Sequence, residues 1–247
     1  MTTFDILLQL PFYWKRIAAM LKDSAILWYS NSFLILRIYN FAMHKKAKKM
    51  KILHLISSPR GGASFSVKLG NATVEKLQAA NPGSTLTTRN LAESPFPHLE
   101  EVHINSFFTP KENHTPEFAE AIKHSDEAIA QLKDADVLVI GVPLYNFGIP
   151  STLKSWIDHI ARAGQTFSYS ENGPEGLVKN KKLYLAISSG GIYSEGPMKA
   201  YDFTESYLRS VLGFMGMTDI TAYRAEGLSI PDLKDVALDK AIESIAF

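Results

Sequence analysis

From residue 51 onwards, short apolar runs alternate with longer stretches in which apolar residues recur every three or four positions. The run at 136–142 gives the clearest strand signal, and the run at 52–57 is typical of a strand buried on both faces. Three more strands are predicted, at 84–90, 182–188 and 218–224. Strands that alternate with helices need crossover connections, so the pattern predicts an α/β domain with a five-stranded parallel sheet.

A helix is predicted in each interval between these strands and after the last one. In the third helix, which starts at Pro150, the residues Leu153, Trp156, Ile157 and Ile160 share one apolar face. The remaining helices are predicted from near Phe65 to Pro82, over 115–133, over 199–215 and over 233–246. Two stretches with little periodicity, 93–116 and 164–181, are predicted to be irregular loops.

Residues 1–49 differ from the rest of the chain, because they are rich in aromatic residues and end in a basic cluster at 45–49. The stretch 24–43 is long enough to cross a bilayer, but polar residues interrupt it. Three interpretations remain: a membrane-surface or targeting segment, a helical appendage, or upstream sequence included through a misplaced start codon. We favour the third, because Met50 directly precedes the first strand. The chain is therefore divided into an N-terminal extension, 1–49, and a body, 50–247.

Composition and charge narrow the class of protein. Of the 247 residues, 46% are apolar and 21% charged, which is typical of a globular protein. Eight of the 26 basic and two of the 25 acidic residues lie in 1–49, so the body has 18 basic against 23 acidic residues, a net charge of −5. That charge gives no case for nucleic-acid binding. The chain has no cysteine, so any redox chemistry needs a cofactor, and a reducing cytoplasm is compatible with this composition.

The loops after the first, third and fourth strands have unusual compositions. In an open parallel sheet, ligands bind beyond the carboxyl ends of the strands, so these loops should meet. The first loop, 57–66, offers hydroxyls at a helix N-terminus and could hold a phosphate, or Ser64 could simply cap the helix. The second, 143–150, offers two aromatic rings and an amide for a flat ring, or its aromatics could be plugs of the core. The third, 188–197, has paired glycines that allow a close approach to a ligand, or it is a flexible connector.

Five segments, in order and at suitable spacing, resemble one family. They are Met50-Lys-Ile-Leu with the 58–66 loop, Pro143-Leu-Tyr-Asn-Phe147, Ala161-Arg-Ala-Gly164, the segment 167–177 and Ser188-Ser-Gly-Gly191. Together they resemble the FMN-dependent NADH:quinone oxidoreductase and azoreductase family over the whole of 50–247. The resemblance implies a flavodoxin-like, doubly wound sheet of order 2-1-3-4-5 with helices on both faces. It also implies a homodimer with FMN bound near the subunit interface.

The resemblance also implies roles for particular residues. Positions that match the phosphate-binding segment are Ser58, Ser64, Phe65 and Ser66; those along the flavin ring are Leu144, Tyr145, Asn146 and Phe147; those at its pyrimidine end are Ser188, Ser189, Gly190 and Gly191. Tyr193 stands where family members carry His or Tyr near the flavin, and it is the single candidate for a catalytic proton donor or substrate orienter. Some members carry a basic residue in the long loop that matches 93–116; here the nearest positions are Phe107 and Phe108, so the resemblance leaves substrate preference open.

The implied activity is a ping-pong transfer of two electrons from NADH or NADPH, through bound FMN, to a quinone or an azo compound. The alternatives are an electron carrier of the flavodoxin type, a flavin reductase that releases reduced FMN instead of retaining it, and a non-enzymatic adaptor or sensor of the same fold. No metal site is expected, since His98, His103 and His114 are dispersed. Asp158 and His159 are predicted to form a surface pair, and His54 to be packed or hydrogen-bonded inside the first strand.

Overall fold

A five-stranded parallel sheet forms the centre of residues 49–247, the part of the chain that the computed structural model describes. Its strands are β1 (Lys51–Ile56), β2 (Thr85–Asn90), β3 (Val137–Pro143), β6 (Lys182–Ser188) and β7 (Asp219–Ala225). They lie in the order β2-β1-β3-β6-β7. Counted along the main sheet this is the order 2-1-3-4-5, so the predicted doubly wound, flavodoxin-like topology is confirmed. The expectations for residues 1–48 lie outside the described residues.

Six helices of the described region cover the two faces of this sheet. They are α1 (Phe65–Ala80), α2 (Glu101–Phe108), α3 (Pro116–Asp134), α4 (Ser151–Ile160), α5 (Phe203–Phe214) and α6 (Ala237–Glu243). Helices α1 and α6 contribute to the hydrophobic core on one face, and α3, α4 and α5 to the core on the other. None of the helices described here is long and apolar enough to cross a membrane.

The central strands explain why their sequence is apolar throughout. Along β3, Val137 and Val139 belong to the core beneath α1, whereas Leu138 and Ile140 belong to the core beneath α3 and α4. Successive side chains of a strand point to opposite faces, so a strand covered by helices on both sides needs apolar residues at every position. All seven residues of β3 are buried.

Two predicted loops contain regular structure. The stretch 93–116 holds α2 and a 3₁₀ turn at Lys111–Asn113. Helix α2 begins with a capping box, in which the His103 ring nitrogen accepts a hydrogen bond from the backbone N–H of Glu100 at 3.1 Å. The stretch 164–181 holds a β-hairpin of β4 (Phe167–Ser170) and β5 (Gly173–Gly176). The prediction that 93–116 and 164–181 are irregular loops was therefore wrong. Neither α2 nor the hairpin shows an apolar repeat in its sequence, because both bury few apolar side chains.

The two helices nearest the C-terminus begin later than predicted. Residues Pro197–Tyr201 form a 3₁₀ turn, and α5 begins only after Asp202, whose carboxylate accepts the N–H groups of Thr204 and Glu205. Helix α6 begins at Ala237, after a series of turns. The predicted ranges therefore ran together the helices and the turns that precede them.

The predicted surface pair of Asp158 and His159 is wrong. Asp158 forms an ion pair with Lys154 at 2.6 Å, one turn earlier in α4. His159 is fully buried, and its ring contacts Phe96 and the ring of His103. Burial lowers the pKa of His159, although its Nε2 lies 3.0 Å from the carbonyl of Pro97. Helix α2, which was not predicted, supplies His103 and therefore part of the packing that buries His159.

Candidate functional site

The three loops singled out from the sequence meet at one edge of the sheet, as predicted. They follow β1, β3 and β6, which are neighbours in the sheet, and in parallel strands all three carboxyl ends lie at the same edge. The first and second loops touch where the hydroxyls of Ser58 and Tyr145 lie 3.4 Å apart. The second loop is joined to β6 where the N–H of Leu144 donates to the carbonyl of Ser188 at 2.8 Å.

The first loop places the buried hydroxyls of Ser64 and Ser66 at the N-terminus of α1. Ser64 is the residue before the helix, but its side chain makes no capping hydrogen bond. Its Oγ lies instead 3.0 Å from the Oγ of Ser66, and both residues are buried. The side-chain cap that was the alternative at Ser64 is therefore absent. The first-turn N–H groups and the helix dipole remain available to an anion, and hydroxyls stand beside them.

Gly141 sets the position of this helix terminus, and sequence reasoning missed it. A Cβ at Gly141 would lie 3.1 Å from the backbone carbonyl oxygen of Ser66, tighter than ordinary packing. The carbonyl of Gly141 also accepts a hydrogen bond from the hydroxyl of Ser57 at 2.7 Å. Absence of a side chain at Gly141 thus allows α1 to begin directly against β3. The signal in the sequence was a glycine inside an otherwise apolar strand.

The second loop is a tight turn with unusual backbone geometry. The backbone N–H and carbonyl of Tyr145 and Gly148 bond each other reciprocally, both at 3.0 Å. The two residues between them, Asn146 and Phe147, have φ of 49° and 68°. Two successive left-handed residues without a glycine are unfavourable, and such geometry concentrates at functional sites. Tyr145 and Phe147 are 36% and 42% exposed, so they are not plugs of the core.

The third loop is held close to the turn that follows β7. The N–H of Ser189 donates to the carbonyl of Ala225 at 3.0 Å, and the N–H of Gly227 donates to the carbonyl of Gly191 at 3.1 Å. A Cβ at Gly190 would lie 2.7 Å from the hydroxyl of Ser229. Ser188 and Ser189 are buried, whereas Gly190 and Gly191 are partly exposed. The flexible-connector alternative does not agree with these bonds, because the loop backbone has fixed partners on the next turn.

Aromatic side chains from two other segments lie beside Phe147. The Tyr201 ring centroid lies 5.5 Å and the Tyr193 ring centroid 6.3 Å from that of Phe147. The N–H of Phe203 donates to the carbonyl of Phe147 at 3.1 Å, which joins the start of α5 to the second loop. Tyr201 and Phe203 are 49% and 58% exposed. Sequence reasoning missed both; their only signal was two aromatic residues near the start of a predicted helix.

A cleft of about 710 Å³ lies on the α4 side of the second loop. Its lining is mostly apolar, with polar groups at Ser57, Thr152 and Lys154. The hydrogen bond from Lys154 to Asp158 raises the pKa of Lys154, and burial raises the pKa of Tyr207, which also lines the cleft. Lys154 is therefore a cation and Tyr207 a neutral phenol at neutral pH, and the cleft has one charged corner in an apolar surface.

The arrangement as a whole suits a flat ligand that carries an anionic group. The anion would lie at the start of α1, and the ring would lie against the second and third loops. Among residues 49–247, no group of three or more His, Cys, Asp or Glu side chains is placed to hold a metal ion. Phe107, one of the two residues that depart from the family pattern, packs against the guanidinium of Arg162 at 4.8 Å.

Comparison with known proteins gives consistent matches over the body of the chain. The sequence profile of the flavodoxin-like fold family matches residues 50–246. A protein of Mesorhizobium japonicum named FMN-dependent NADH:quinone oxidoreductase is 47% identical over 197 residues, which are 79% of this chain and 94% of the relative. A protein of the same name from Nostoc sp. is 47% identical over 198 residues, covering 79% of this chain and 96% of the relative.

Solved structures agree with these sequence matches. An azoreductase from Bacillus anthracis is 33% identical and superposes with a TM-score of 0.74, covering 78% of this chain and 95% of that protein. An FMN-dependent NADH-azoreductase from the same species, solved in complex with FMN, is 27% identical with a TM-score of 0.71, covering 79% and 97%. The predicted resemblance is confirmed: this chain belongs to the flavodoxin-like family of FMN-dependent NADH:quinone oxidoreductases and azoreductases.

Proposed function

We propose that this protein binds FMN and transfers two electrons from NADH to quinones or azo compounds. One observation carries the proposal: the uncapped, hydroxyl-lined start of α1 meets an exposed aromatic turn with left-handed backbone at the same edge of the sheet. Relatives about 47% identical are named for this activity, and a related azoreductase was solved with FMN. A plain electron carrier has no need of an open aromatic face for a substrate.

The residues present fit FMN. Its phosphate is a dianion that needs N–H and O–H donors, which the backbone of the first turn of α1 and the hydroxyls of Ser58, Ser64 and Ser66 supply. Its ring is flat, with a polar rim, and needs apolar contact together with backbone groups. The second loop offers Leu144, Tyr145, Asn146 and Phe147 for the ring, and the third loop, Ser188, Ser189, Gly190 and Gly191, offers backbone groups for its pyrimidine end. Phe65 completes the phosphate segment.

Bound FMN supplies the redox chemistry, by accepting a hydride from NADH and giving two electrons to the acceptor. The protein's share is to bind, orient and exclude water. Phe147, Tyr193 and Tyr201 form an apolar wall on which a planar donor or acceptor can lie. A single wall favours ping-pong kinetics, in which the nicotinamide leaves before the acceptor enters. NADPH is the second candidate donor.

Tyr193 is the candidate for the residue that gives a proton to the reduced acceptor or orients it. Its backbone is fixed by Glu226, and its ring faces Phe147. The variant Tyr193→Phe keeps the ring and removes the hydroxyl. Steady-state kinetics with a quinone should then show a lower turnover with a nearly unchanged KM for NADH. Equal turnover in both proteins would remove the proton-donor role.

A homodimer and a cytoplasmic location complete the proposal. The family resemblance supports the dimer, and exposed aromatic side chains such as Tyr169 and Phe214 provide apolar surface for it. The absence of cysteine and the use of NADH support the cytoplasm. Sedimentation of the purified protein at micromolar concentration measures the mass, and a monomer under these conditions would contradict the dimer.

The decisive experiment is the visible spectrum of the purified protein before and after NADH is added without oxygen. We expect flavin bands at ~450 nm that bleach on addition of NADH and return when a quinone is supplied. A colourless protein that FMN cannot reconstitute would overturn the proposal. Loss of FMN during gel filtration would favour a flavin reductase, and a stable one-electron-reduced spectrum would favour a carrier.

A further inference from the structure

A cluster of one arginine and three carboxylates lies at the carboxyl end of β7, next to the third loop. Arg224 donates from Nε and Nη2 to Glu205 at 3.0 and 2.6 Å, from Nη1 to Glu226 at 3.1 Å, and from Nη2 also to Asp202. The side chains of Arg224, Asp202 and Glu226 are 14%, 8% and 11% exposed. Their charges are thus largely removed from water, and each depends on the others for compensation.

The first branch of this cluster holds the third loop by its backbone. Glu226 Oε1, which Arg224 binds, also accepts the N–H groups of Tyr193 at 2.9 Å and Ser194 at 3.0 Å. Glu226 Oε2 accepts the hydroxyl of Ser194. A carboxylate that accepts three loop donors and one guanidinium N–H is a strong, directional clasp, because charge-assisted hydrogen bonds are stronger than neutral ones.

The second branch reaches the second loop. Asp202, also bound by Arg224, caps α5 by accepting the N–H groups of Thr204 and Glu205 at 2.9 and 3.2 Å. Phe203, which lies between Asp202 and Thr204, donates its N–H to the carbonyl of Phe147. The orientation of the first turn of α5 therefore fixes a bond to the strained turn at Phe147. In the proposed function the second and third loops face the flavin ring, and each is connected to Arg224 through a chain of hydrogen bonds.

The charge balance makes Arg224 hard to replace. Glu205 is shared with Arg209, whose guanidinium lies 2.7 Å away, so three carboxylates face two guanidinium groups. Burial lowers the pKa of Arg224, but its bonds to Glu205 and Asp202 outweigh burial and raise it, so this group stays charged. A lysine would keep one charge but could not present the planar set of donors that now reaches three carboxylates at once.

We infer that Arg224 is a positioning residue, which fixes the second and third loops in the geometry that binds the flavin ring, through Glu226 and through Asp202. The inference rests on the proposed function, because it assigns the ring to these two loops. Arg224 itself touches none of the ring-facing residues of those loops in the bonds described above. Its effect is on loop geometry, and so on flavin affinity and on the asymmetry of the flavin's surroundings.

The test uses the full chain with FMN and four variants. Arg224→Gln removes the centre of the cluster, Arg224→Lys keeps one charge, and Glu226→Ala releases the third loop while the bonds of Arg224 to Asp202 and Glu205 remain. The control is Arg162→Gln. It replaces a similarly buried arginine, which forms an ion pair with Asp126 at 2.6 Å and makes none of the hydrogen bonds to the three loops described above. The readouts are the FMN dissociation constant and the visible circular dichroism of the bound flavin.

We expect Arg224→Gln and Glu226→Ala to weaken FMN binding by roughly tenfold, the effect of losing one or two well-placed hydrogen bonds. The visible dichroism should change shape in both, and Arg224→Lys should recover only part of each effect. Arg162→Gln should keep the affinity and the dichroism even if its melting temperature falls. If Arg224→Gln does not fold, Glu226→Ala and Arg224→Lys decide the matter.

The outcomes separate this inference from the proposed function. Folded Glu226→Ala and Arg224→Lys proteins with wild-type affinity and dichroism would overturn the role of Arg224 while the flavin enzyme stands. The same would follow if the variants lost melting temperature only, as the control does. A wild-type protein that binds no FMN at all would overturn both.

Discussion

At the scale of single residues, two hydroxyls that precede helices make different bonds. Thr115 caps α3, since its Oγ1 accepts the N–H of Phe118 at 3.2 Å, whereas Ser64 makes no such bond to α1. We predict that Thr115→Ala lowers the free energy of unfolding by about 1 kcal/mol, the usual effect of losing an N-cap. Ser64→Ala removes no cap but removes the buried hydrogen bond to Ser66, so it should also cost the apoprotein about 1 kcal/mol.

The FMN dissociation constant should separate the two variants. Ser64→Ala should raise it several-fold by removing a phosphate donor, and Thr115→Ala should leave it unchanged. Urea unfolding of the apoprotein and flavin fluorescence titration measure the two quantities. A Ser64→Ala protein that loses stability but keeps its affinity would mean that this serine has only a structural role.

His54 gives a prediction for pH. It is buried on β1, its Nε2 has no hydrogen-bond partner, and burial lowers its pKa to about 4. Because the folded pKa lies below the unfolded value near ~6.5, its contribution to stability is complete above that pH and is lost as the pH falls towards 4. From this residue alone, the free energy of unfolding should fall by about 2 kcal/mol between pH 7 and pH 5.

The matched variant for this prediction is His54→Leu, which removes the titrating group. Urea unfolding at pH 7 and at pH 5 should show a smaller difference in the variant than in the wild type. His159, whose pKa burial also lowers, remains in both proteins and contributes equally. An identical pH dependence in the two proteins would show that protonation of His54 is not what destabilises the fold in acid.

Single residues also mark how far sequence reasoning reached. The serines and aromatics of the loops could be found, because their type is unusual at the end of a buried strand. The burial of His159 could not, since it depends on α2, whose own start depends on the pair Glu100 and His103. Arg224 has no pattern that predicts its partners, because Asp202 and Glu205 come to it only through the packing of α5 beside β7.

At the scale of elements, two helical glycines should respond oppositely to a methyl group. In the middle of α1, a Cβ at Gly70 would lie 2.8 Å from Nε2 of His54, in a buried place. In α5, a Cβ at Gly213 would meet no atom within 4 Å. Gly70→Ala should therefore destabilise the fold by about 1–3 kcal/mol through overpacking. Gly213→Ala should stabilise it by up to about 1 kcal/mol through helix propensity.

Thermal or urea unfolding of both variants beside the wild type gives the comparison. The double variant Gly70→Ala, His54→Ala supplies a control, since removal of the imidazole opens space for the new methyl group. If Gly70→Ala were as stable as the wild type, α1 would be able to shift on the sheet, and close packing would not be what fixes its position.

Elements with a strong apolar period were predictable, and elements held by polar contacts were not. All five strands of the main sheet were predicted. Strands β3 and β6 are almost wholly apolar, whereas β2, which is mostly exposed, is marked by its threonines. The hairpin β4–β5 escaped, because its residues are partly or fully exposed and include two glycines and a proline. Helix α2 escaped because it buries only His103 and Ser106. The periodicity of apolar residues reports burial, and these elements have little of it.

At the scale of the whole molecule, we predict that residues 50–247 fold and function without residues 1–49. The described region contains the complete sheet, both cores and the three loops of the site. The truncated protein should match the full-length chain in melting temperature within a few degrees and in FMN content per chain. Parallel purification, thermal melting and the flavin absorbance ratio measure this. An aggregated or colourless truncated protein beside a yellow full-length protein would contradict it.

The clasp at Glu226 has a consequence for how this site can change. It holds the third loop through the backbone N–H groups of positions 193 and 194, and every amino acid except proline has such a group. The order of the loop is therefore largely independent of which side chain stands at 193. The side chain there can therefore be exchanged without loss of loop order, so a change of turnover on substitution of Tyr193 reports the role of its ring or hydroxyl and not a displaced loop.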